Sequence, residues 1–335
     1  TNEGEAAENW RRSVFFHLLQ SGQRMLRRRL AAEDPVDFLS FKQARDEGMT
    51  DYLALVHRFA DEGVIGEMDC VYSSWASDAA DGFAEPDVLA LQRLAPFLNL
   101  AVKSAALARM AGTLAETYLG RDPGRRVMSG RIMRGVAERI GAVLWESDLH
   151  GYTHISDNAP PEQIIPLLND YADVVISAVH AHGGDVLKLV GDGTLAIFAN
   201  EKRQEACLAA LAAAAQMRKG AAKLNQKRSA AGLPTTAVYL ALHVGDVFYG
   251  NVGSKDRLDF TVIGPAVNEV SRILAMSRSV EQDLLLSSSF AEAIGPEIRR
   301  RLVSVGRYAL RGVAQPQELF VPEPGFEIHR TPAGL

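Results

Sequence analysis

Only two cysteines occur in 335 residues, Cys70 and Cys207, and they belong to no ligand-spaced cluster, which excludes a disulfide framework and a structural zinc site. So few thiols fit a reducing, cytoplasmic setting. Charge of one sign is also lacking. Lys and Arg total 36 against 41 Asp and Glu, and the net −5 gives no electrostatic footprint for a nucleic-acid partner. The basic triplets Arg27-Arg28-Arg29 and Arg299-Arg300-Arg301 read as solvated helix faces. No apolar run is long enough to span a bilayer, the most apolar stretch, Ala206 to Met217, being Ala-rich and short, so neither membrane insertion nor a leader peptide is expected. What is present is enough apolar residue, 47%, to bury two cores.

Periodicity divides the chain into three zones. Val14, Phe15, Leu18, Leu19 and Met25 recur at helical spacing between Trp10 and Leu30, and a second helix is predicted before Gly48. Thr50 to Phe59 and Asp69 to Trp75 are β-branched and aromatic, and they flank a turn-forming segment from Asp61 to Gly66. Pro86 then suits the first turn of a long helix from Asp87 towards Tyr118. These residues, 1–118, form a predicted small α+β domain. Gly120 to Gly124 ends the helix, and 119–138 reads as a basic, Gly-interrupted connector. A larger domain over 139–325 follows, with a tail over 326–335. It opens on the strand Ile140 to Trp145 and continues with a helix to His182, a hairpin over Val186 to Phe198 and the helix Gln204 to Asn225. Strands Ala237 to Val244 and Val247 to Val252, a helix Ala266 to Ser277 and closing strands near Leu285 and from Arg307 to Phe320 complete it. Mixed connections of this kind predict an α+β fold and not a purely parallel doubly wound sheet.

Chemistry concentrates in three segments. Asp148 follows the apolar run Ala142-Val143-Leu144-Trp145, where the chain turns through Gly151 and can offer backbone N–H groups to phosphate; an Asp here equally caps the next helix. Gly191-Asp192-Gly193 lies between apolar strands and is a hairpin signal in its own right. Yet Lys188, alone among Val186, Leu187, Leu189 and Val190, needs a polar partner, and a nucleobase can be one. Asn268 and Arg272 are four apart, so a helix opening near Pro265 puts both on one face, either exposed or directed at a sugar and a phosphate. Two carboxylates at strand ends beside small residues are what two-metal phosphoryl transfer requires.

Taken in order, these segments resemble the catalytic domain of class III nucleotidyl cyclases, from about Ile140 to Phe320. The resemblance implies an α+β catalytic domain with a ferredoxin-like βαββαβ core, an antiparallel sheet covered by helices. It also implies conversion of ATP to 3′,5′-cyclic AMP and pyrophosphate at a homodimer interface, with two divalent ions, Mg2+ or Mn2+. Asp148, Asp192 and the carbonyl of Leu149 would be the metal ligands, and Gly151-Tyr152-Thr153 would match the phosphate-facing turn. Lys188 and Thr261 fall on the base-reading pair, in the pattern of the Lys/Thr subclass, IIIb. Asn268 matches the ribose-orienting residue, Arg272 the transition-state arginine, and Arg311 a basic phosphate position. Met49 to Ala54 and Gly82 to Asp87 resemble parts of GAF-like sensory modules, implying a small-molecule effector or a dimerising role for the first domain.

Two residues depart from the family pattern. Glu146 stands where Phe is usual, on the same strand face as Asp148, which would bring a third carboxylate near the metals. His150 replaces a usual Arg. These departures keep open a catalytically impaired nucleotide-binding regulator. A guanylate cyclase is the other alternative, and Lys188 speaks against it.

Overall fold

The computed structural model describes residues 2–30, 37–59, 70–313 and 315–326. The chain divides into two compact units, 1–111 and 112–335.

The first unit runs α1 (Asn2–Arg11), α2 (Val14–Ser21), β1 (Met25–Arg29), α3 (Leu39–Asp46), β2 (Asp51–Arg58), β3 (Cys70–Ser77) and α4 (Glu85–Leu119), the last crossing the boundary. The single helix expected from Trp10 to Leu30 is broken. Ser13 caps α2 by accepting from the Phe16 N–H at 3.1 Å, and Gly22, at φ 72°, takes the left-handed conformation that ends it. The chain then turns into a strand, so the Arg27 triplet lies on β1 and not on a helix face. Paired with β2, it lets Arg27 bond the fully buried Asp51 at 2.8 Å. The sheet order is β1-β2-β3, all antiparallel. Its core joins Val14 and Leu18 of α2 to Phe41, Tyr52 and Val56. The expected turn over Asp61 to Gly66 lies outside the described residues, as does the tail expected over 326–335 beyond Phe326.

The second unit begins with α5 (Arg121–Met128), β4 (Ala137–Leu149), α6 (Tyr152–Asn158), α7 (Pro161–Ala181), β5 (Asp185–Val190) and β6 (Gly193–Ala199). It continues through α8 (Arg203–Ala230), β7 (Val238–Gly253), β8 (Leu258–Ile263), α9 (Pro265–Met276) and β9 (Leu284–Ser287). The last elements are α10 (Ser288–Ala293), α11 (Pro296–Arg299), β10 (Leu302–Tyr308) and β11 (Gln317–Pro322). The order β7-β4-β6-β5, with every neighbour antiparallel, is the ferredoxin-like arrangement of a βαββαβ unit. Beyond it β9 joins β7 in parallel, followed by β11 and β10, while β8 folds back onto the far half of β7.

Period-2 alternation on β4 explains how the sheet is covered. Val143, Trp145 and Leu149 face α7 and α8, packing with Tyr171, Val175, Leu211 and Met217. Ala142 and Leu144 face the other way, against Val270 and Ile273 of α9. By length and composition α7 would suffice to cross a bilayer, but here Leu167, Tyr171, Val175, Ala178 and Val179 are buried in the protein core. Three details differ from the sequence expectation. The connector holds a helix, α5, with Pro123 in its first turn. The strands predicted on either side of Gly245-Asp246 are one continuous β7, because β4 pairs with it from Val238 to Gly250. Arg299 ends α11 with its guanidinium 4.2 Å over the Phe320 ring, and Arg301 pairs with Glu323, so this triplet is partnered and not merely solvated.

Candidate active site

Asp148 and Leu149 are the last residues of β4, and Asp192 sits in the two-residue hairpin between β5 and β6. Pairing of β4 with β6, Ser147 opposite Thr194, carries the strand end to the hairpin. Asp192 Oδ2 accepts from the Leu149 backbone N–H at 3.2 Å. The two carboxylates line one cavity of about 170 Å³ with Gly191, Gly193, Leu168 and Tyr171. Gly193 keeps this corner open, since a Cβ there would stand 2.7 Å from the Ser147 carbonyl oxygen and 3.5 Å from Asp148 Oδ1. Burial pushes the Asp148 carboxyl up to about 6, helped by a hydrogen bond to Asp192 and by its negative charge, while the Leu149 N–H and Arg278 oppose the shift.

These donors suit a divalent cation. Two like-charged carboxylates within hydrogen-bonding reach disfavour joint ionisation, and a cation removes that penalty. Among the described residues no group of three or more His, Cys, Asp or Glu gathers around a metal position. The remaining positions of a hard, oxygen-seeking ion would fall to carbonyl and phosphate oxygens, as Mg2+ or Mn2+ accept.

The turn after β4 is tight. Gly151 adopts φ 67° and α6 begins at Tyr152. The Tyr152 ring packs against the core, leaving the backbone of Gly151-Tyr152-Thr153 and the exposed Thr153 side chain as the parts of this turn that can meet a phosphate. His150 is exposed, its ring 4.9 Å edge-on from Tyr239.

Asn268 and Arg272 lie on α9, the helix that their spacing predicted, where both are exposed and line a second cavity of about 730 Å³ with Arg311 and Gly264. The two cavities share no lining residue. Lys188 and Thr261 occupy a third place. Lys188 Nζ pairs with Asp259 Oδ2 at 2.9 Å, and Thr261 lies two residues further on the same face of β8. The Thr261 hydroxyl is buried without a hydrogen-bond partner among the described residues.

Glu146 is not spare charge beside Asp148 and Asp192. Its Oε2 accepts from Ser271 Oγ of α9 at 2.6 Å, and burial pushes its carboxyl above the ordinary range despite that bond. Sequence reasoning missed Asp259, Ser271 and Arg278 as neighbours of the site. For Asp259 the signal was present: a carboxylate two residues before Thr261 on an alternating strand.

Residues 139–322 match the adenylate and guanylate cyclase catalytic domain, so the chain belongs to the class III cyclase family. An uncharacterized protein of Mycobacterium tuberculosis is 33% identical over 224 residues, 64% of this chain and 37% of that one. The adenylate cyclase of Anabaena cylindrica is 36% identical over 146 residues, covering 42% of this chain and 28% of its own. Among solved structures, the adenylyl cyclase CyaB from P. aeruginosa superposes with a TM-score of 0.52 at 25% identity, covering 59% of this chain and all of that one. The chain spans little more than a third, 37%, of the length of the first curated relatives it matches.

Proposed function

We propose that the chain is an adenylate cyclase that converts ATP to cyclic AMP and pyrophosphate in a homodimer whose two active sites are each shared between subunits. One observation carries this reading. The carboxylates Asp148 and Asp192 line one cavity, whereas Asn268, Arg272 and Arg311 line another with no residue in common. A two-fold dimer would bring the first cavity of one protomer to the second cavity of its partner, and would do so twice.

Asp148 and Asp192, with the Leu149 carbonyl, would hold Mg2+ or Mn2+, which when bound supplies Lewis-acid polarisation of the ribose 3′-hydroxyl and charge neutralisation on the triphosphate. The turn 151–153 would meet phosphate oxygens through its backbone. Asn268 would orient the ribose and Arg272 would stabilise charge on the α-phosphate as the 3′-oxygen attacks and pyrophosphate leaves, with Arg311 binding phosphate. Lys188 is a pure donor and suits the adenine ring nitrogen, whereas guanine would present an N–H at that position. Thr261, whose hydroxyl has no hydrogen-bond partner among the described residues, can accept from the adenine amino group. The pair supports assignment to the Lys/Thr subclass.

In this reading 139–325 is the catalytic domain, 119–138 the connector and 1–118 a GAF-like sensory or dimerising domain. The face of α4 that carries Leu94, Phe97 and Leu100, exposed by 60%, 75% and 63%, supports pairing with a second copy. The scarcity of cysteine, two in 335 residues and both buried, suits a cytoplasmic location. Incubation with ATP or GTP in Mg2+ and in Mn2+, with both cyclic nucleotides quantified, tests the function. Cyclic AMP should dominate, and Asp148→Ala and Asp192→Ala should each abolish it; equal cyclic GMP, or activity in either variant, would refute the assignment.

A further inference from the structure

Glu146 and Asp148 stand on the same face of β4, the face that α9 covers. Val270 and Ile273, both fully buried, fasten α9 to that face through apolar contacts, which fix its distance from the sheet better than its roll. Polar contacts add direction, and the shorter of them, well inside the 3.6 Å approach of Glu269 to His243 on β7, comes from Ser271. Ser271 Oγ lies 2.6 Å from Glu146 Oε2 and 3.1 Å from the Val267 carbonyl oxygen, and a hydroxyl has a single proton, so the shorter carboxylate contact takes most of it. An apolar residue at position 146 could not accept such a bond. Ser271 directly precedes Arg272 and lies three residues, almost one helical turn, after Asn268.

We propose that Glu146 is a positioning residue of the cyclase reaction, acting through Ser271 to set the roll of α9 and hence the aim of Asn268 and Arg272. The proposal rests on the functional reading given above. With side chains reaching about 6 Å from the helix axis, a roll of about 10° moves them by about 1 Å, a displacement that costs up to about a hundredfold in rate. In a shared-site dimer the contact has a second consequence. It links the carboxylates that one protomer gives to one site with the Asn and Arg that the same protomer gives to the other.

Steady-state kinetics of the full chain with ATP and Mn2+ test this, comparing wild type with Glu146→Ala, Ser271→Ala, the double variant and Glu146→Gln. Each single Ala variant should lose about ten- to a hundredfold in kcat with KM changed less than about threefold, as expected for an interaction realised in the transition state. The double variant should be no worse than the singles, because both remove the same bond. Glu146→Gln should restore most of the lost turnover, since an amide oxygen accepts from Ser271 as a carboxylate does. Backbone amide exchange over residues 268–273 should quicken in both Ala variants and not in Glu146→Gln. Additive losses, an equally poor Glu146→Gln, or unchanged turnover in Glu146→Ala would overturn the proposal. If the wild type makes no cyclic AMP, the functional reading fails separately. Exchange then decides the roll of α9, and no change in Glu146→Ala overturns it.

Discussion

Lys188 and Asp259, 71 positions apart, form an ion pair of 2.9 Å that ties β5 to β8. Both side chains are partly exposed, 36% and 53%, so the pair contributes little stability, about 0.2–1 kcal/mol. Its effect is geometric: it holds the proposed adenine donor beside the face of Thr261.

Asp259→Ala should therefore leave the melting temperature almost unchanged and lower the kcat/KM preference for ATP over GTP by about tenfold, or about 1.4 kcal/mol. Parallel kinetics with the two nucleotides measure it. An unchanged ratio would mean that Lys188 is placed without Asp259.

Thr261 makes a prediction of opposite sign for stability and function. Its buried hydroxyl lacks a partner among the described residues, and Val has the same shape without the hydroxyl. Relief of an unsatisfied buried polar group is worth about 1–3 kcal/mol. Thr261→Val should raise the melting temperature while weakening selection for ATP. A fall in melting temperature would show that the hydroxyl is satisfied in the folded protein.

His243 links stability to pH. It is buried on β7, with Glu269 Oε2 3.6 Å from Nε2 and Ser289 Oγ near Nδ1, and burial lowers its pKa to about 4 from an ordinary 6.5. Burial also pushes the Glu269 carboxyl up, so both groups move towards their neutral forms. The unfolded chain protonates His243 more readily than the folded one, so its contribution is fully present above pH 6.5 and is lost as pH falls towards 4. The loss is on the order of 3 kcal/mol. Glu269 acts in the opposite sense, its raised carboxyl favouring the folded form as pH falls. Denaturant midpoints between pH 7.5 and 5, compared with those of His243→Gln, isolate the histidine; equal slopes for the two proteins would refute its role.

The shared-site arrangement predicts complementation. Asp192→Ala and Arg272→Ala should each be nearly inactive. When they are co-refolded at equal amounts, about half the dimers are mixed, and each mixed dimer collects both lesions in one site and none in the other. Activity should recover to about a quarter of wild type. Absence of recovery despite demonstrated subunit exchange would exclude sharing.

Much of the proposed site was legible in sequence because its residues are recorded in local spacing. A carboxylate at the end of an apolar strand, a Gly-Asp-Gly hairpin and an Asn and Arg four apart on a helix each depend on one element's period, and Asp148, Asp192, Asn268 and Arg272 lie on the elements so inferred. The apolar run Ala142 to Trp145 likewise marked a strand, and the four residues are buried on β4. Only the tertiary structure decided the rest. Met25 recurs at helical spacing yet begins β1, because Gly22 ends the helix and pairing with β2 satisfies the backbone that follows. The partners of Lys188 and Glu146 lie 71 and 125 positions away, on β8 and α9. Local propensity specifies the face on which a side chain leaves its own element, whereas its partner across the sheet depends on strand register and on how β8 and α9 return over that sheet.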